Sequence, residues 1–163
     1  MQQLLNAHIK SRGKSLFCFG PAGIEIPRTD TENNVRSPDK VVCVGAAFRH
    51  ENRAQWREMR HLTKAVFAVG NPPALAIEVA SPGNTARDTV DKRQEYAWAG
   101  VPEYWIVNPV DGCVLVLALA DGEYQDVGEY RDSELISSLL FPHLEVSAAI
   151  LLDLSEADLL DVS

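Results

Sequence analysis

A chain of 163 residues, 46% apolar and 23% charged, predicts one soluble globular domain spanning 1–163, long enough to bury a real core. The net charge of −8 argues against a protein that coats nucleic acid non-specifically, and Cys18, Cys43 and Cys113, scattered and without a CxxC pair, exclude a disulfide framework or a zinc ribbon. No apolar run approaches the ~20 residues of a spanning helix, and the opening MQQLLNAHIKSRGK carries no basic-then-apolar leader, so the expected setting is the cytoplasm, with no membrane partner.

In chain order, Gln2 to Arg12 reads as a short helix, and SLFCFGPAGIEIP as one or two strands broken at Gly20-Pro21. TDTENNVRS reads as a polar surface loop. PDKVVCVG contains a strand whose run Val41 to Val44 implies burial on both faces. Residues 49 to 64 read as a helix that ends before the two prolines of VGNPP. ALAIEVA is a central strand, and SPGNT a turn with Thr85 as N-cap. A helix follows from about Ala86 to Trp98, stopping at Gly100. EYWIVNP is the next strand, and CVLVLALA with EYQDVGEY forms an antiparallel hairpin across Asp121-Gly122. The tail AAILLDLSEADLL predicts a short strand and a closing helix, and the region from the hairpin onward is expected to serve stability and oligomer contacts. The fold class is therefore α/β (α+β), a mixed central sheet flanked by helices, with one βαβ step around the Ala86–Trp98 helix.

The chemistry concentrates at Glu78. Its strand neighbours Ile77 and Val79 are apolar, and a bare carboxylate buried among them is costly without a partner. Three partners fit: a cationic side chain, backbone donors, or a divalent metal. On the following helix Asp88, Lys92, Glu95 and Tyr96 stand at i, i+4, i+7 and i+8 and share a face. Asp39 lies at the entry to another strand. Two acids at neighbouring strand ends make an oxygen-rich pocket suited to Mg²⁺ or Mn²⁺. Such a metal would polarise a phosphate and acidify a bound water, with a nearby lysine orienting that water.

Pro38-Asp39, IEVASP, the Asp88–Lys92–Tyr96 spacing and AGVPEYWIVNP together resemble the Uma family of restriction endonuclease-like proteins, within the PD-(D/E)XK nuclease superfamily. The resemblance runs from about Leu4 to Leu160 and is densest from Leu75 to Pro109. It implies metal-dependent hydrolysis of phosphodiester bonds in DNA, with Asp39 and Glu78 as catalytic metal ligands and the Val79 carbonyl as a third. The superfamily's lysine ordinarily stands two positions after the second acid, where this chain has Ala80; Lys92 matches a helix lysine that takes its place. Asp88 and Tyr96 would support the site from behind. Asn108 stands where the family often has aspartate, and the strand that usually precedes the first helix is expected to be absent. A homodimer is expected.

Plainer readings stand beside these. Asp39 could cap a turn, Glu78 could form a structural ion pair with Lys92 or Arg87, and Asp88 could stabilise a helix N-terminus. Lys92 could be a solvated partner of Asp88, and Tyr96, Tyr104 and Trp105 could simply be core. Arg49, Arg53, Arg57, Arg60 and Lys64 recur at helical steps, as either a solvated face or a stripe that tracks DNA phosphates. HExxH, GxSxG, GxGxxG and a Walker loop are all absent. The alternative to an active nuclease is a catalytically degenerate nuclease fold serving as a DNA- or protein-binding or assembly module.

Overall fold

The computed structural model describes residues 16–19, 23–27, 34–44, 66–67, 70–80 and 86–153. Their elements are β1 (Leu16–Phe19), β2 (Gly23–Ile26), β3 (Asn34–Arg36), β4 (Lys40–Val44), β5 (Val66–Phe67), β6 (Leu75–Val79), α1 (Ala86–Ala99), β7 (Glu103–Asn108), β8 (Cys113–Ala120) and β9 (Glu123–Arg131). The expected helices at 2–12 and 49–64 lie outside the described residues.

Six strands form the central sheet in the order β1-β4-β6-β7-β8-β9. Within this sheet, among the described residues, only β6 and β7 pair in parallel, and they are the pair joined through α1. The sheet is therefore mixed, as expected, and Glu78 sits on one of its inner strands. Covered on both faces, these strands read as near-continuous apolar runs. Leu75, Ile77, Trp105, Val107, Val114 and Val116 face one way, into a core closed by Ile136, Phe141, Leu144, Val146 and Leu151 of the tail. Ala76, Tyr104, Ile106 and Leu117 face the other way, beneath Tyr96, Ala97 and Ala99 of α1.

Two expectations need correction. Asn34–Arg36, part of the predicted loop, is a strand, and Val66–Phe67 is another. With β2 they make a second, three-stranded sheet, β3-β2-β5. A three-residue and a two-residue strand are too short for alternation to register; their pairing comes from Ile24, Ile26 and Phe67 joining the core under α1. The tail predicted to open with a short strand is helical instead over 148–153, the isolated bridge between Leu135 and Ser147 lying just before it, and the rest of the tail lies outside the described residues.

Turn chemistry behaves as the sequence implied. Asp121 and Gly122 both have positive φ, 52° and 84°, as a two-residue type I′ hairpin requires. At the end of α1 the Gly100 N–H donates to the Ala97 carbonyl and the Val101 N–H to the Tyr96 carbonyl, a Schellman motif around Gly100 at φ 78°. A Cβ there would meet only Pro72 Cγ, at 3.8 Å, so the cost of a side chain is purely conformational. Gly100→Ala is expected to lower stability by about 1–2 kcal/mol, read as a shifted urea midpoint at unchanged slope. Asn108 accepts from the Val110 and Asp111 N–H groups through Oδ1 and donates to Asp111 Oδ2. It closes the turn after β7, a task that asparagine and aspartate oxygens share.

Candidate active site

The register of β4 against β6 starts at Lys40 opposite Ile77. One step earlier, Asp39 stands opposite Glu78. Side chains alternate along a strand, so Asp39 shares a face with Val41, which is buried in the core under α1. Glu78 shares that face with Ala76. Both acids thus project to the helix side. Pro38, which is buried, fixes φ and has no N–H to place in the ladder. The Asp39 side chain supplies the link instead, with the Val79 N–H donating to Asp39 Oδ2 at 2.7 Å.

Glu78 is 7% exposed and is held at both oxygens. The Tyr96 O–H donates to Oε1 at 2.6 Å, and Lys92 Nζ lies 3.2 Å from Oε2. Lys92 and Tyr96 are one helical turn apart, so α1 presents both to a single carboxylate. Burial pushes the Glu78 carboxyl above its usual range; the Tyr96 hydrogen bond and the Lys92 charge pull it back, and Asp39 pushes it up again. Tyr96 is fully buried, and burial beside Glu78 raises its hydroxyl far out of the titrating range, so it acts as a fixed donor. Its ring meets Tyr104 edge-on, with centroids 5.1 Å apart, and Tyr104 is raised for the same two reasons.

Asp39, the Val79 backbone, Glu78, Lys92 and Tyr96 therefore meet at one place. Tyr96 belongs to the core and to the site at once. Tyr104 lines the site from below, while Trp105 faces the opposite core, where its indole N–H donates to buried Glu103. The side chains of Arg87 and Asp88, and the whole basic run Arg49, Arg53, Arg57, Arg60 and Lys64, lie outside the described residues. An ion pair that the sequence reading did not anticipate flanks the site. Arg36 Nε and Nη2 reach Glu95 Oε2 and Oε1 at 2.5 and 2.8 Å. The two residues are 59 positions apart, so no local spacing announces them.

Asp39 and Glu78 are hard oxygen donors of the kind Mg²⁺ and Mn²⁺ accept. No group of three or more His, Cys, Asp or Glu suited to a metal occurs among the described residues; carbonyl, water and phosphate oxygens would complete the shell, as is common for Mg²⁺. A cation between the two carboxylates would also offset the burial and mutual repulsion that raise Glu78. The residues present fit the metal. Among the described residues no helix is long and apolar enough to cross a membrane.

A crystal structure of "a putative nuclease belonging to DUF820" from Anabaena variabilis superposes with a TM-score of 0.62 at 15% identity, covering 93% of this chain and 75% of that one. At that identity the likeness is one of fold. No curated protein matches the chain. The Uma2 family model, described as "Putative restriction endonuclease", matches residues 1–153, nearly the whole sequence and all of the elements that build the site; the chain belongs to the Uma2 family.

Proposed function

We propose that the protein is a metal-dependent nuclease that hydrolyses phosphodiester bonds in DNA. The observation that carries this reading is the meeting of Asp39 and Glu78 on one face, at the ends of adjacent strands, with the Lys92 ammonium against Glu78. A bound Mg²⁺ or Mn²⁺ would supply Lewis-acid polarisation of the phosphate and a more acidic water. Asp39, braced by the Val79 N–H, offers one carboxylate and Glu78 the other, with the Val79 carbonyl as a further oxygen. Tyr96 fixes the rotamer of Glu78 by donating to Oε1. Lys92, held against Glu78, would offer a donor and a positive charge to an attacking water and to the charge that develops on the phosphate.

Position 80 shares its face with Glu78, two residues along the strand. A lysine there would reach the site from the sheet; in this chain the cation descends from the helix. The test is cleavage of plasmid and linear duplex DNA with Mg²⁺ or Mn²⁺, with EDTA as the control. Nicking or linearisation that EDTA stops supports the reading. An inert protein across both metals and varied DNA supports the degenerate alternative, which one observation favours: Tyr96 and Lys92 already satisfy both Glu78 oxygens without a metal.

We propose further that the basic run tracks the DNA backbone and that a homodimer in the cytoplasm is the working form. Five phosphate contacts from Arg49, Arg53, Arg57, Arg60 and Lys64 would give a log–log salt slope of about −4 to −5. Changing two of the arginines to glutamine should flatten it by about two units. An unchanged slope would return the run to a solvated face.

A further inference from the structure

Arg36 ends β3, and only Ser37 and Pro38 separate it from Asp39. Three residues of chain reach about 10 Å at most, and Pro38 between them is buried and rigid. Wherever Arg36 is fixed, the approach to Asp39 is fixed. Glu95 lies on α1 three residues after Lys92 and next to Tyr96, on the face that meets Glu78. The Arg36–Glu95 contact is bidentate, through Nε and Nη2 onto both carboxylate oxygens. That is the most directional form an ion pair takes. Glu95 is 16% exposed and Arg36 41%, so the carboxylate end is largely withdrawn from water.

A second arginine holds α1 from the other side. Arg93 Nη2 donates to the Tyr124 carbonyl and to Asp126 Oδ1 on β9, at the far edge of the central sheet. Asp126 is 63% exposed, so that tie is the weaker one. Both ties leave α1 between Lys92 and Tyr96, and of the two only the first joins α1 to a segment that carries a site residue.

From this arrangement we infer that Arg36 and Glu95 are a pair of positioning residues, which lock the Asp39 segment to the Lys92 helix and so set the distance between the two halves of the site. The inference rests on the metal-site reading of Asp39 and Glu78. It assigns a role to the small sheet: β2 and β5 support β3, β3 carries Arg36, and Arg36 docks on α1. The pair acts through Asp39 and Lys92 rather than on substrate.

The test compares Arg36→Gln, Glu95→Gln, the reversed pair R36E/E95R, and Asp126→Asn as the control tie. The readouts are hydrogen exchange resolved by segment and Mn²⁺ affinity by calorimetry. Either single change is expected to speed exchange at least tenfold in residues 37–40 and 90–96 while leaving β8 and β9 protected. Mn²⁺ affinity should fall about 10- to 100-fold, the loss typical when groups that orient metal ligands are removed. The reversed pair should recover much of both, and Asp126→Asn should change neither. Unchanged exchange in the two segments overturns the inference. So does an increase spread evenly over the hairpin, which would mean a general loss of stability. A wild-type protein that binds no Mn²⁺ would overturn the metal reading, and the exchange pattern would still decide whether the two segments are locked together.

Discussion

Lys92→Ala is expected to lower DNA cleavage by about 10²–10³-fold while Mg²⁺ still binds, because Asp39 and Glu78 remain. The structure adds a second consequence. Lys92 is the cation paired with a carboxylate that is almost completely buried, so its loss leaves Glu78, among the described residues, with Tyr96 as its remaining donor. A stability cost of about 1–3 kcal/mol follows for a buried acceptor stripped of a partner, well above the few tenths of a helix-surface pair. Added Mg²⁺ should restore much of it, since a bound cation compensates the same carboxylate. Lys92→Met separates packing from charge by keeping most of the stem, and it should lose cleavage as fully as alanine does. Moving the lysine to the strand, as Ala80→Lys with Lys92→Ala, should rescue part of the activity, because position 80 leaves the same face as Glu78. Full activity in Lys92→Ala, measured alongside its Mg²⁺ affinity, would strip Lys92 of any chemical role.

The central sheet and the contacts of the candidate site at Glu78 were legible in the sequence for a common reason. Glu78 interrupts an apolar run on an inner strand, Gly100 stops a helix in the left-handed conformation, and Asp121-Gly122 turns a hairpin; each is a local signal with a local cause. The Lys92–Tyr96 spacing carried over into space because a helix preserves i,i+4 geometry. What escaped depends on distant partners. β3 and β5 exist because short segments found an edge to pair with and a helix to pack beneath, and neither fact is written within two or three residues. Arg36 lies in a polar stretch where an arginine normally signals solvent, and Glu95 is one acid among several on α1; their contact spans 59 positions. Buried Glu103 is the same kind of case. It accepts from the Trp105 indole and from the Leu140 N–H, and the second partner lies in the tail.

Glu78→Gln should make the metal-free protein more stable at neutral pH, by roughly 1 kcal/mol, while eliminating cleavage and weakening metal binding. Burial is the largest influence on Glu78 and disfavours its charge, and Asp39 adds to it; together they outweigh Tyr96 and Lys92, so the folded-state pKa is raised. The sign of the pH dependence follows. Below the unfolded carboxyl pKa of about 4.3, Glu78 is protonated in both states and contributes its full stability. As pH rises toward the raised folded value, the unfolded chain releases the proton first, and that contribution is lost. Glutamine cannot ionise. It still offers an oxygen to Tyr96, and Lys92, 26% exposed, can turn its ammonium to solvent. The stability difference between Glu78→Gln and wild type in EDTA should therefore be small near pH 4, widen with rising pH, and level off above the folded pKa. Saturating Mg²⁺ should reverse the order, because only wild type retains both carboxylates and binding at 100 times Kd adds about 2.7 kcal/mol. Thermal unfolding of the two proteins across pH, with and without Mg²⁺, measures all of this. A Glu78→Gln protein less stable than wild type in EDTA at neutral pH would mean that the Tyr96–Glu78–Lys92 cluster is a net stabilising network, and would move Glu78 from a site held ready for a cation to a structural ion pair.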